Sequence, residues 1–320
     1  MNLSHFVNKA LVFLNPEKAT YWHTITRCAI DSKPNQLGRY YLNFESKLNY
    51  PEKMDSNGIP FWKTDNEPYF HHPIVIAQYA LGIFEHLYQK NFSDKELEKK
   101  FLLQAEWLKN NFVENDCGKI WNIYYDIPLY GIKKPWYSAL AQGEAVSVLT
   151  RSYLLTKDES YLSLAEDAIE PFFIDVSKGG LLAYFNSLPI YEEYPSKIKT
   201  VGVLNGFIFS LFGLYDLQIT IQSKKSTELF QQGIDSLKKL LPYYDTGYWA
   251  RYYLFDYPKE YVASFTYISI MYEQLKSLYY LTGEKIFLDY SLKWENYAHN
   301  RINKLRALLK KIFYANTLKK

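Results

Sequence analysis

Residues 203–217 read Val-Leu-Asn-Gly-Phe-Ile-Phe-Ser-Leu-Phe-Gly-Leu-Tyr-Asp-Leu, and they follow shortly on Tyr191-Glu192-Glu193-Tyr194-Pro195. The longer run is strongly apolar and reads as a helix. The shorter motif sets two carboxylates and two phenols, closed off by Pro195, just ahead of it. Two readings of that motif stand. Adjacent glutamates suit a solvated loop, and with 31 tyrosines in the chain a Tyr beside a Glu is common. Acidic and phenolic groups gathered ahead of an apolar helix also suit proton transfer.

The pattern to either side is helical. Helices are expected at 226–241, 264–282 and 284–300 on one side, and at 138–155 and 160–172 on the other. Further forward, Pro73 suits the first turn of a helix with Ile74, Ala77, Leu81, Phe84 and Leu87 on one face. Ser93 with Glu96 forms a capping box for the next, whose stripe is Leu97, Phe101, Ala105 and Leu108. Residues 117–135 form a long aromatic loop, of a length more often functional than connective. Ahead of Pro73, residues 39–44 alternate like a strand, and Asn57-Gly58 and Ile59-Pro60 signal turns. Repeated helix pairs predict stacked hairpins, either an open solenoid or a closed toroid. No repeat of constant period runs through the chain, which favours the closed ring. The expected organisation is an extended or β arm over 1–72, a helical domain over 73–300 and a tail over 301–320.

The 320 residues are 48% hydrophobic and 18% aromatic, which excludes a disordered chain. A formal charge of +3 and a pI near 8.4 suit an anionic substrate. No zinc spacing, phosphate loop or RNA-binding signature points to nucleic acid, and none is expected as a partner. Cys28 and Cys117 indicate no disulfide framework, so a reducing compartment is expected. Ser4, His5, Asn8 and Lys9 interrupt the first apolar residues, which argues against a signal peptide. No uninterrupted apolar run approaches the roughly 20 residues of a membrane span. A soluble, cytoplasmic protein is the expectation.

Several motifs together resemble the C-terminal domain of the D-glucuronyl C5-epimerases of heparan sulfate and heparosan synthesis. They are Ile76-Ala77-Gln78-Tyr79, Pro135-Trp136-Tyr137-Ser138-Ala139-Leu140-Ala141-Gln142-Gly143 with Tyr153-Leu154-Leu155-Thr156-Lys157-Asp158, and Tyr191-Glu192-Glu193-Tyr194-Pro195. Val203-Leu204-Asn205-Gly206-Phe207, Gly213-Leu214-Tyr215-Asp216-Leu217, Leu241-Pro242 and Asp245-Thr246-Gly247 continue them in family order. The resemblance implies a mainly α fold, an (α/α)6 toroid of helical hairpins. Animal members also carry a membrane anchor and a large β domain, so this chain looks like a short bacterial form serving capsule-type polysaccharide synthesis. The implied activity converts D-glucuronosyl to L-iduronosyl residues in a saccharide chain, with no cofactor and no metal.

That chemistry explains the residue types. Removing the hydrogen at C5, beside a carboxylate, develops two negative charges on neighbouring oxygens. A positioned base contributes about 10²–10⁴-fold, and neutralising the new charge must supply much of the rest. Inversion also needs a proton-transfer group on each face of the ring. By resemblance, Glu193 is one such group, with Tyr194 beside it, and Tyr267, ahead of Gln274-Leu275, is the other. Tyr248 and Arg251 keep the family's Tyr-x-x-Arg spacing, which makes Arg251 the candidate clamp on the uronate carboxylate and the group that would lower the Tyr267 pKa. The substrate-binding candidates are Tyr41, Tyr69, His72, Gln78, Trp136, Tyr137, Gln142 and Asn205. Met271 stands where the family usually has histidine, and His71-His72 where it favours aromatics before proline, both bearing on substrate preference.

A uronate lyase, which would expel the C4 substituent after the same proton abstraction, is the nearest rival, and a catalytically silent sugar-binding toroid is another. The partner expected is a uronic-acid oligo- or polysaccharide, with a homodimer as a further expectation. The tail carries Arg301, Lys304, Arg306, Lys310, Lys311, Lys319 and Lys320 among apolar residues and has no acid. It reads either as a frayed helix end or as a peripheral contact with an anionic membrane surface.

Overall fold

In the computed structural model of the chain, residues 21, 26–29, 37–64, 67–256 and 259–317 are described. The early residues weighed for a signal peptide, and Lys319 and Lys320, lie outside them. The described chain is mainly helical, with three small two-stranded sheets. Its helices are α1 (Pro73–Gln89), α2 (Lys95–Asn110), α3 (Ala139–Thr156), α4 (Glu159–Asp167), α5 (Leu204–Ile221), α6 (Lys224–Tyr244), α7 (Phe265–Thr282), α8 (Lys285–His299) and α9 (Arg301–Thr317).

The helices sort into two layers by their sequences. In α1, α3 and α5 the buried residues run almost unbroken around the helix, as in Ala139 to Ser152, and a helix apolar on all sides must be enclosed. In α2 and α6 the buried positions fall on one stripe, Leu229, Phe230, Gly233, Ile234 and Leu237 in α6, leaving a charged face for water. Each odd-numbered helix from α1 to α7 therefore packs inside, against the even-numbered helix that follows it. The inner helices also pack in succession, α1 on α3, α3 on α5 and α5 on α7. Four hairpins are built by the described residues, not six. Being inner helices of successive hairpins, these four present their N-terminal ends to one side.

Helix α5, 18 residues, is long and apolar enough by length and composition to cross a membrane, although Asn205, Ser210, Asp216, Gln218 and Thr220 interrupt it, in keeping with the expectation of no uninterrupted apolar run of that length. It is 78% buried inside the fold, so its apolarity is that of a core helix.

The arm occupies the space between α1 and α7. Arg151 of α3 and Asp216 of α5 form a fully buried ion pair at 2.6 Å. Arg151 also donates to the carbonyls of Gly38 and Arg39, at 3.1 and 3.3 Å, while the Tyr41 hydroxyl donates to Asp216 at 2.5 Å. Ser277 of α7 donates to the Tyr41 carbonyl at 2.8 Å, and Arg39 pairs with Glu85 of α1. With its carbonyls so engaged, residues 39–44 form an extended segment with, among the described residues, a single bridge, Cys28 to Leu42, and not the expected strand. A 3-10 turn, Glu45–Leu48, follows. The arm's hairpin is instead β1 (Trp62–Thr64) with β2 (Glu67–Phe70).

The one cap expected from the sequence, Ser93 with Glu96, is not the one that forms. Ser138, Asp158, Ser223 and Ser264 cap α3, α4, α6 and α7. For α2 the cap is Asp94, whose carboxylate accepts from the Leu97 amide at 3.1 Å, while Ser93 donates back to Lys90. A carboxylate there also meets the positive end of the helix dipole. The expected helix at 160–172 stops at Asp167, and Pro171 falls in a following 3-10 turn. Strands β3 (Val113–Asn115) and β4 (Gly118–Ile120) open the aromatic loop, which is otherwise irregular. Strands β5 (Leu182–Phe185) and β6 (Leu188–Tyr191) form a hairpin on α6, and β6 delivers the chain straight into Glu192-Glu193.

Candidate active site

A cavity of about 330 Å³ opens where the four inner helices begin. Each contributes a residue from its first turns: Gln78 from α1, Leu140 from α3, Asn205 from α5 and Tyr267 from α7. Four helix N-termini at one mouth give it a positive bias. The arm closes another side with Phe44, Lys47 and Trp62, and the aromatic loop adds Tyr125 and Trp136.

Glu192 and Glu193 divide their roles by the direction each faces. The Glu192 carboxylate accepts from the amides of Val201 at 2.8 Å and Gly202 at 3.1 Å, pinning the chain that enters α5. Glu193 is buried in the cavity wall, and its Oε2 receives no hydrogen bond from the described residues. It lies against the first turn of α5, where only glycine leaves room: a Cβ on Gly206 would stand 2.2 Å from Glu193 Oε2. Burial pushes the Glu193 carboxyl up to about 7, and a hydrogen bond from Tyr194 works the other way. The group is thus poised to exchange a proton near neutrality.

Phenols surround it. Tyr194 stacks on Tyr130, ring centroids 5.2 Å apart, and tilts against Trp136. Tyr267 packs on Tyr252 at 4.7 Å and is hydrogen-bonded to it. Burial, then the charge of Glu193, push the Tyr267 phenol well above its usual range, so it is held as a proton donor. This departs from the expectation of a phenol made more acidic by Arg251. Tyr125 stacks on His72 at 5.9 Å, and burial drives His72 down to about 3, so that imidazole is neutral.

The remaining polar lining includes two acceptors without partners among the described residues. Gln78 Oε1 and Asn205 Oδ1 are buried and receive no hydrogen bond from the described residues, and neither does Oε2 of Glu144 behind Gln78. Buried acceptors of this kind are satisfied by a ligand rich in hydroxyl donors. Among the described residues no group of three or more His, Cys, Asp or Glu side chains is arranged to hold a metal ion.

Of the residues singled out in the sequence, Glu193, Tyr194, Tyr267, His72, Gln78, Trp136 and Asn205 meet at this cavity. Seven others do not line it. Arg251 is paired with Asp256, and Tyr248 lies under the Arg306 guanidinium, 4.0 Å from the ring centroid, in a separate cavity beside α9. Tyr41 is held by Asp216, and Tyr137 donates to the Gly179 carbonyl. Gln142 bridges Trp121, Lys119 and Ala168, fastening β4 to α3. Tyr69 is exposed, with Lys53 and Lys63 over its ring. His71 stacks on Phe61 at 4.4 Å and contacts Asp55, ending a loop.

Lys47, Tyr125 and Tyr252 were not singled out. For Tyr252 a signal exists. Arg251 pairs with Val262 and the Tyr252 amide donates to the Tyr261 carbonyl, so the backbone here is extended and successive side chains point to opposite sides. If Arg251 faces Asp256, its neighbour faces Tyr267.

Comparison with known proteins bears on what the cavity is for. A D-glucuronyl C5-epimerase from Caenorhabditis elegans is 40% identical over 163 residues, 46% of this chain and 26% of that protein. An uncharacterised protein of Methanocaldococcus jannaschii is 34% identical over 179 residues, 55% of this chain and 56% of that one. The chain thus spans about a quarter and just over half of these relatives' lengths. The family model described as D-glucuronyl C5-epimerase C-terminus matches residues 115–296, more than half of the chain and the segment holding Glu193, Tyr194, Tyr252 and Tyr267. The chain belongs to the D-glucuronyl C5-epimerase C-terminus family.

Proposed function

We propose that this chain inverts C5 of D-glucuronosyl residues within an oligo- or polysaccharide, giving L-iduronosyl residues. The observation that carries the reading is Glu193: a buried carboxyl poised near neutrality, ringed by phenols and by acceptors suited to sugar hydroxyls, in a chain of this family.

In the forward direction Glu193 takes the C5 proton, and the C5–H electron pair moves into the carboxylate as a dianionic enediolate. The Tyr267 phenol then delivers a proton to the other face of C5, leaving a tyrosinate beside Tyr252 and a protonated Glu193. Proton exchange with water resets both groups. The reverse reaction begins with the tyrosinate as base. Tyr252 supports Tyr267 by hydrogen bonding to whichever form is present, and Tyr194 does the same for Glu193. Gln78 and Asn205 orient the sugar through its hydroxyls. In this reading the four hairpins are an arc of an (α/α) toroid whose gap is filled by the arm.

The test is incubation of the protein with a glucuronate-containing oligosaccharide of the heparosan type, read by NMR. Appearance of iduronosyl signals supports the proposal. An unsaturated, UV-absorbing product would mark a lyase instead, and no change with any uronate polymer would reject both.

A further inference from the structure

Charge develops on the uronate carboxylate as C5 loses its proton, so a cation should face it. Arg251 does not line the cavity, and Lys47 is the one Lys or Arg side chain among the described residues that do. Lys47 precedes the segment matched by the family model. It stands on the 3-10 turn Glu45–Leu48, which lies directly on α1 at Gly82. A Cβ on Gly82 would come within 2.8 Å of the Phe44 carbonyl oxygen and 3.2 Å of Lys47 Cβ, so glycine permits the approach that places Lys47.

The lysine is 4% exposed. Its ammonium donates to the Tyr21 carbonyl, 4.3 Å from the centroid of the Tyr21 ring, and makes no ion pair with the described residues. Glu144 on α3 is the acid whose charge it feels. Burial holds the Glu144 carboxyl well above the usual carboxylate range and so favours its neutral form, against the hydrogen bond that Oε1 accepts from Gln78 at 3.0 Å and the Lys47 charge, which pull the other way. Burial in turn lowers Lys47 to about 7. A buried cation whose nearest acid favours its neutral form has much of its desolvation cost uncompensated until an anion arrives.

We propose that Lys47 receives the carboxylate of the uronosyl residue in the cavity and so selects an acidic sugar over its neutral counterpart. The proposal rests on the epimerase reading for the identity of that sugar. Pairing with a carboxylate restores the lysine's affinity for its proton, so binding above pH 7 takes a proton from solution. The other titratable groups facing it are Glu144, Glu193 after β6, Tyr267 on α7, His72 ahead of α1 and Tyr21. The two phenols already hold their protons and His72 stays neutral, which leaves Glu193 and any ionised fraction of Glu144 as competing sources of uptake, the second being common to the chains compared below.

The experiment therefore uses the full chain carrying Glu193→Gln, with and without Lys47→Met. Calorimetry at pH 8, in buffers of different ionisation enthalpy, compares a glucuronate oligosaccharide with the same oligosaccharide after its carboxyls are reduced to alcohols. With Lys47 present, the acid should bind at least about tenfold more tightly than the alcohol and take up a proton. With Lys47→Met, both the preference and the uptake should vanish. If that chain does not fold, Lys47→Gln is read the same way. Preference and uptake that survive the substitution overturn the proposal, as does their absence when Lys47 is present. Acid-selective binding by the wild-type chain without exchange at C5 would remove the epimerase reading and leave Lys47 in place. Exchange at C5 with selectivity unchanged by the substitution would do the reverse.

Discussion

Replacing Glu193 by glutamine separates the folding cost of this carboxyl from its chemistry. The unfolded chain holds the proton with a pKa near 4.5 and the folded chain with one near 7. Because the folded value is raised, the carboxyl favours the native state below 4.5, and that contribution is lost as pH rises through 7. Glutamine mimics the protonated acid and cannot ionise. Relative to wild type, Glu193→Gln should therefore be more stable by less than about 1 kcal/mol at pH 5 and by about 3 kcal/mol at pH 8, from 1.36 kcal/mol per pKa unit. Glu192, also pushed up by burial, is common to both chains and largely cancels. Urea unfolding of both at the two pH values gives the difference directly, while the same variant should have lost epimerisation. Parallel stability curves would mean that Glu193 is not desolvated in the folded protein, and the poised base would have to be abandoned.

Other perturbations follow from particular contacts. Gly206→Ala places a methyl 2.2 Å from Glu193 Oε2; turnover should fall by at least about tenfold while circular dichroism stays native, since alanine favours a helix, and wild-type turnover would show that Glu193 need not lie where it does. Asp216→Ala strands the buried Arg151 guanidinium and releases Tyr41, which should cost about 3–5 kcal/mol in denaturant unfolding; a loss under 1 kcal/mol would show that the clamp does not hold the arm. Helix α9 exposes Ile302, Leu305, Leu309 and Phe313, at 69, 56, 45 and 67%, along one stripe beside Arg301 and Arg306. We propose that this stripe rests on an anionic lipid surface, and flotation with phosphatidylserine liposomes, lost on Leu305→Glu with Leu309→Glu, is the expected outcome. A protein that stays unbound at low salt would leave the stripe without that role.

How far the sequence could be read depends on the length of the periodic segments. The helices announced themselves because an apolar run such as 204–217 and a stripe such as Leu97, Phe101, Ala105 and Leu108 are local signals. Tyr191-Glu192-Glu193-Tyr194-Pro195 was also legible, since β6 and α5 fix its position from either side. The arm was not. Its conformation is set by Arg151, Asp216 and Ser277, more than a hundred residues away, so nothing near Lys47 advertises a buried ammonium. Arg251 misled because motif spacing counts residues, whereas an extended chain sorts them by parity, and parity turned Arg251 toward Asp256 and Tyr252 toward Tyr267. Tyr137 and Gln142 sit in a family-like motif for a different reason, holding the loop that carries Trp136.

The central claim is that Glu193 and Tyr267 exchange the C5 proton of a uronosyl residue from two sides. It is tested most directly by incubating a glucuronate oligosaccharide with the wild-type chain in deuterated water and following C5 by NMR. Deuterium should appear at C5 in both the glucuronosyl and the new iduronosyl residues, and Tyr267→Phe should abolish the iduronosyl product. Iduronosyl residues formed without deuterium at C5, or formed at the wild-type rate by Tyr267→Phe, would contradict the account.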